Sequence, residues 1–268
     1  MSTVNTPLFF FDPENLAKIA ANLSIEYSNA SPFPNVVIDG FLPEDVLDKV
    51  LQEFPGDDKE WRQQKAFYEQ KNSMEIDTAF GPFTRHLMAQ FNSSTFVNFL
   101  EKLTGITGII PDPHFRGGGL HQIFPGGFLK VHADFNKQQR LNLDRRLNVL
   151  LYLNRDWKES YGGLFELWNQ DMTRCEKRVL PLFNRLVVFS TTDVSFHGHP
   201  DPLTSPEGTS RKSLALYYYT NGRPQGEATT KFHSTLFQRR PGIDPDEPIA
   251  PPLRRLARKI RRRLTSRT

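Results

Sequence analysis

A chain of 268 residues with 38% hydrophobic residues and 22 phenylalanines can bury one sizeable core, which excludes a disordered polymer. Cys175 is the single cysteine, so an intramolecular disulfide and a thiolate metal cluster are excluded, and any metal must use histidine and carboxylate ligands. The net charge of +4 sits in the C-terminal tail: eight Arg and Lys fall between Arg254 and Arg267, leaving 26 bases against 30 acids elsewhere, so a nucleic-acid-binding catalytic face is not implied.

Residues Met1 to Phe11 show no basic start followed by a long apolar run, and no stretch is long enough to cross a bilayer. A cytoplasmic protein without a transmembrane segment is therefore expected. Asp12, Pro13 and Glu14 read as N-cap, first-turn proline and first-turn acid of a helix through Leu23. Val36 to Ile38 reads as a short strand. Pro43 opens a helix whose apolar positions Val46, Leu47, Val50, Leu51 and Phe54 recur at helical spacing, and Pro55-Gly56 ends it. The stretch 57–82 is polar and weakly periodic. Ser94 then caps a helix carrying Phe96, Val97, Leu100 and Leu103, stopped by Gly105.

After Gly108 the texture becomes β-rich. Runs at 120–124, 129–134, 146–153, 164–168, 185–190 and 212–219 are separated by turn signals such as Pro125-Gly126-Gly127 and Gly162-Gly163. The expected fold class is α+β with a mainly β core: a double-stranded β-helix, or jelly roll, with N-terminal helices packed on one sheet. The expected organisation is a helical lead-in over 1–110, the jelly-roll core over 111–222, an extension and linker over 223–252, and a basic tail over 253–268.

His132 and Asp134 sit two apart in a β-like run, so their side chains leave one face and can converge on an ion. Alone, such a pair is also what two ordinary strand residues look like. With a third ligand, taken as His197, two imidazoles and one carboxylate leave coordination positions open, which suits non-haem iron(II). His199 shares a side with His197 in an extended segment and competes for that role. Further on, Arg211 and Ser213 share one strand face. A guanidinium fork grips a carboxylate bidentately and a neighbouring hydroxyl adds a hydrogen bond, although an edge-strand Arg-Lys pair would look the same.

His132-Ala133-Asp134, then His197, then Arg211-Lys212-Ser213 follow the order of the 2-oxoglutarate/iron(II) oxygenases, and the chain most resembles their prolyl 4-hydroxylase-like branch. Gln122 to Gly127, Leu147 to Asn154 and Gly162-Gly163 are similar to strands of that branch, and Asn184 to Phe189 and Val194 to Gly198 resemble the run before the last iron ligand in ribosomal prolyl hydroxylases, over roughly residues 110 to 222 in all. The resemblance implies Fe(2+), 2-oxoglutarate and O2 as cofactor and cosubstrates, with ascorbate as a candidate reductant. It also implies hydroxylation of an unactivated C–H bond, with succinate as coproduct. Because Asp134 keeps the carboxylate that related halogenases lack, hydroxylation is expected. Family members carry a tyrosine near the Pro-Gly-Gly turn that touches 2-oxoglutarate, whereas this chain has Ile123, Phe124 and Phe128 there. Candidates to replace that contact are Gln122, Asn148 and Tyr152.

The expected substrate is a prolyl residue in a protein or peptide. The alternatives are a small-molecule or glycan substrate on the same scaffold, and a non-catalytic jelly-roll binding protein. In the tail, Leu253, Leu256, Ala257, Ile260 and Leu264 recur at helical spacing among basic residues. Such a helix suits an anionic partner, whether RNA, a ribosome or a membrane surface, and a frayed solvated terminus is the alternative.

Overall fold

The computed structural model describes residues 8–56, 61–224, 227 and 231–244. These contain four α-helices: α1 (Pro13–Asn29), α2 (Glu44–Gln52), α3 (Pro82–Phe91) and α4 (Ser94–Thr104). The first strands are β1 (Asn35–Asp39), β2 (Arg62–Ala66), β3 (Glu69–Met74), β4 (Ile110–Pro111), β5 (Gly119–Ile123), β6 (Phe128–Ala133) and β7 (Lys137–Gln138). They are followed by β8 (Leu143–Tyr152), β9 (Phe165–Trp168), β10 (Cys175–Val179), β11 (Arg185–Ser190), β12 (His197–His199), β13 (Arg211–Thr220) and β14 (Leu236–Phe237).

The caps follow from side-chain chemistry. Asp12 accepts from the Glu14 backbone N–H at 2.9 Å, and Pro13 needs no partner for its nitrogen. The helix runs beyond Leu23 to Asn29 because Tyr27 is buried and its hydroxyl meets Ser190 Oγ at 2.7 Å. For α4 the cap is Ser93, one residue before the expected Ser94, and Gly105 ends the helix at φ +71°. The polar stretch 57–82 holds more structure than its weak periodicity suggests, namely the β2–β3 hairpin and, from Pro82, the start of α3.

Strand pairs are antiparallel throughout, in the order β1-β11-β8-β13-β5-β3-β6-β12-β9-β10. Alternation along β8 explains the layering. Leu147, Val149 and Leu151 face the helices and share one core with Leu16 and Ala20 of α1 and Phe96, Leu100 and Leu103 of α4. Asn148 and Leu150 line a cavity on the opposite face. Much of the phenylalanine content is spent between helices and sheet, where the Phe91 and Phe96 rings lie edge to face at 4.8 Å and Phe11 stacks near both. The sheet curls because β3 pairs with β5 through Asn72 to Met74 and with β6 through Glu69 and Gln70. The result is the curled double-stranded β-helix with helices on one sheet expected from sequence.

Within the stretch read as extension and linker, residues 231–244 pack against the core. β14 pairs with β6, placing Phe237 opposite His132, and Phe237 stacks on Tyr68 with centroids 4.6 Å apart. Arg240 forks onto Asp201 at 2.7 and 3.0 Å, and Asp244 meets Lys130 at 2.9 Å. The basic tail over 253–268 lies outside the described residues. No described helix is long and apolar enough to cross a membrane.

Candidate active site

The cavity between the two sides of the sheet measures about 730 Å³. On its wall His132 of β6 stands directly opposite His197 of β12, with ring centroids 4.5 Å apart. Asp134 follows the end of β6, and its two oxygens lie 3.6 Å from His132 Nε2 and 3.4 Å from His197 Nε2. One ligand atom from each of the three falls within 4.8 Å of the others. His199 is not in that group, for the register shifts between His197 and His199 and sets His199 opposite Leu129. Gly198 permits the close approach of β12 to β6, since a Cβ there would stand 2.8 Å from the Leu129 carbonyl and 2.9 Å from that of Lys130.

The imidazole tautomers follow from their partners. His132 Nδ1 lies 2.8 Å from the Lys130 carbonyl and His197 Nδ1 lies 2.9 Å from the Ser195 carbonyl. A carbonyl only accepts, so each Nδ1 carries the proton and donates, which leaves each Nε2 with a free lone pair toward Asp134. Burial lowers the His132 pKa, with the neighbouring His197 adding to it, which keeps the ring neutral. Burial alone would raise the Asp134 carboxyl, but the Arg145 guanidinium beside it outweighs that and holds the group well below the usual carboxylate range. Two imidazoles offering Nε2 and one carboxylate fit a ferrous ion with open positions.

Behind Asp134 stands a support that sequence reading did not find. Arg145 Nη2 lies 3.0 Å from Asp134 Oδ2, and Asn148 Nδ2 donates to the same oxygen at 2.7 Å. Arg145 also donates to Asn148 Oδ1 through Nε at 3.0 Å and Nη2 at 2.7 Å, and its guanidinium lies 3.5 Å from the centre of the Tyr217 ring. Simple alternation from Asn148 would put Arg146 on this face. A bulge intervenes: Tyr218 pairs with Leu147 and Tyr219 with Arg145, so Arg146 is the extra residue and Arg145 turns inward. Asn148, a candidate from sequence for the cosubstrate contact, lines the cavity and donates its Nδ2 hydrogen to Asp134.

On β13, Arg211 and Ser213 both line the cavity. Arg211 Nε donates to the Gly163 carbonyl at 2.9 Å and Nη2 donates to the Tyr152 hydroxyl at 3.2 Å. Glycine is required at 163, because φ is +68° and a Cβ would meet Leu203 at 2.5 Å and the Arg211 side chain at 3.0 Å. Gln122 is not brought to this group. His121 and Ile123 take the inward face of β5, while Gln122 donates to Ser210 Oγ at 2.9 Å and lines a separate hollow with Trp61 and Phe124.

His121, also missed in the sequence, is buried, and burial pushes its imidazole down to about 3. An unfolded chain takes up that proton near pH 6.5 whereas the folded one does not, so stability is full above about pH 6.5 and falls as pH drops toward the folded value. The loss reaches about 2 kcal/mol by pH 5. His121→Gln is expected to flatten this slope in metal-free protein, measured by denaturant unfolding at pH 7 and pH 5. An unchanged slope would remove His121 from the account.

Residues 118–219, which include His132, Asp134, His197 and Arg211, match the family model described as the 2OG-Fe(II) oxygenase superfamily. Prolyl 3-hydroxylase OGFOD1 of Mus musculus is 34% identical over 79 residues, which is 28% of this chain and only 14% of that relative's length. Among solved structures, a prolyl hydroxylase from Trichoplax adhaerens in complex with a hypoxia inducible factor oxygen degradation domain peptide superposes with a TM-score of 0.56 at 17% identity. The superposition covers 77% of this chain and 91% of that one. A Pseudomonas putida prolyl-4-hydroxylase gives 0.53 at 18% identity, covering 77% of this chain and 100% of its own. At such identities the likeness shows the fold.

Proposed function

We propose, from the match of residues 118–219 to the 2OG-Fe(II) oxygenase superfamily model and from a fold like that of prolyl hydroxylases, that the chain is an iron(II)- and 2-oxoglutarate-dependent dioxygenase hydroxylating a prolyl residue in a protein or peptide. The observation that carries this reading is the meeting of His132, Asp134 and His197 in a cavity that Arg211 also lines. Bound iron and 2-oxoglutarate supply the oxidising chemistry, in which decarboxylation to succinate is coupled to hydroxylation of a C–H bond.

The chain's own residues hold and orient. His132, Asp134 and His197 would ligate the metal through the two Nε2 atoms and the carboxylate. Arg145 and Asn148 keep that carboxylate ionised and aimed. Arg211, set by Gly163 and Tyr152, offers its fork to the far carboxylate of the cosubstrate, with Ser213 on the same face. Phe165 and Phe189 pack against the His197 ring at 5.6 and 4.7 Å and Phe237 against His132 at 5.5 Å, which excludes water from that side of the ligands. Support for a peptide comes from the named relatives and from the aromatic rim, where Phe232 lines the cavity and remains half exposed.

The test is anaerobic addition of iron(II) and 2-oxoglutarate, with the visible charge-transfer band of the chelate as readout, followed by admission of oxygen. The expected result is the band, then succinate release that rises with proline-containing peptides. Absence of both band and succinate would sink the dioxygenase reading. Stimulation by small molecules and not by peptides would sink the substrate class alone.

A further inference from the structure

The cavity holds more buried donors than its metal ligands and Arg211 account for. Lys71 of β3 lies one residue past the Asn72–Gln122 pair, next to Ile123, while Arg211 pairs with Ile123 from the other side of β5. All three line the cavity. The Lys71 side chain is 12% exposed, and its ion-pair partner among the described residues is Glu69 at 3.8 Å, too far for a hydrogen bond. His199 is 3% exposed, lines the same cavity, and neither ring nitrogen has a hydrogen-bond partner among the described residues.

Two cations on one buried wall repel each other, and a sealed imidazole without a partner is costly; an anion resting against all three would relieve both faults. The Arg211 fork already donates to Gly163 and Tyr152, so a carboxylate docking there keeps acceptor lone pairs to spare. Resting on the dioxygenase reading above, we propose that Lys71 and His199 join Arg211 in a three-sided cradle for the distal carboxylate of 2-oxoglutarate. Lys71 lies outside the matched segment 118–219 and comes from the hairpin that bridges the two sides of the sheet.

The test compares 2-oxoglutarate with 2-oxobutyrate, which keeps the keto-acid end and lacks the distal carboxylate. Both are titrated anaerobically into the iron(II)-loaded full chain by calorimetry, after iron(II) affinity has been measured alone. Lys71→Met and His199→Leu are each expected to weaken 2-oxoglutarate about tenfold, to leave 2-oxobutyrate unchanged, and to leave iron(II) affinity unchanged. Lys71→Arg should restore the preference. An unchanged ratio between the two ligands in both variants, or equal weakening of both ligands, overturns the cradle. If Lys71→Met does not fold, Lys71→Gln is read by the same ratio. A wild-type chain that binds iron(II) but neither keto acid would instead bring down the dioxygenase reading.

Discussion

An Asp134→Ala chain is expected to fold and to take up iron(II) roughly a thousandfold more weakly than wild type, a loss of about 4 kcal/mol. Asp134 is the carboxylate of the three-residue group, and its oxygens lie 3.6 and 3.4 Å from the two Nε2 atoms. Its removal deletes the negative charge that faces the cation and leaves two imidazoles, which hold iron(II) weakly without a carboxylate. It also strands the buried Arg145 guanidinium, so the variant should lose some stability as well. Asp134→Asn keeps the shape and drops the charge, and should behave almost as badly. Equilibrium dialysis against iron(II) or manganese(II) reads the result, and circular dichroism reports folding. Wild-type affinity in a folded Asp134→Ala chain would dismiss these three residues as a metal centre.

Arg145→Met should cost about 10- to 100-fold in metal affinity although the side chain touches no metal. The guanidinium accounts for much of what holds the Asp134 carboxyl low, so its loss lets that pKa rise. A proton then competes with iron at a higher pH than before, and the deficit should widen as pH falls. That sign separates electrostatic support from simple loosening of the fold, which would weaken binding equally at every pH. Methionine fills part of the volume between Phe135 and Tyr217, the rings over which the guanidinium sits at 4.4 and 3.5 Å. Metal titrations at pH 8 and pH 6 provide the comparison. Identical ratios of variant to wild type at both values would show that Arg145 does not act through charge.

The order His132, Asp134, His197, Arg211 was legible because each residue type announces its chemistry and the short strands around them carry alternation and turn signals. The helix-facing positions of β8 could be read in the same way. What escaped has physical causes. Arg145 faces the site through a bulge that no two-residue period contains. Gln122 is a candidate cosubstrate contact from sequence, but the run Leu120 to Ile123 is buried on both faces, so composition does not tell which side meets the cavity. The hairpin β2–β3 was hidden by its polarity: its residues pair with each other and line hollows, and so present no apolar stripe. At three residues, β12 is too short for any period, so alternation alone did not separate His197 from His199.

The hairpin strand β3 works like the keystone of an arch, and β14 like a buttress laid on from the far end of the chain. A fragment trimmed to 118–219 would keep all three ligand candidates yet lack the strand that joins β5 to β6 and the aromatic ring leaning on His132. The stretch needed to complete the site is accordingly longer than the one that matches the family model.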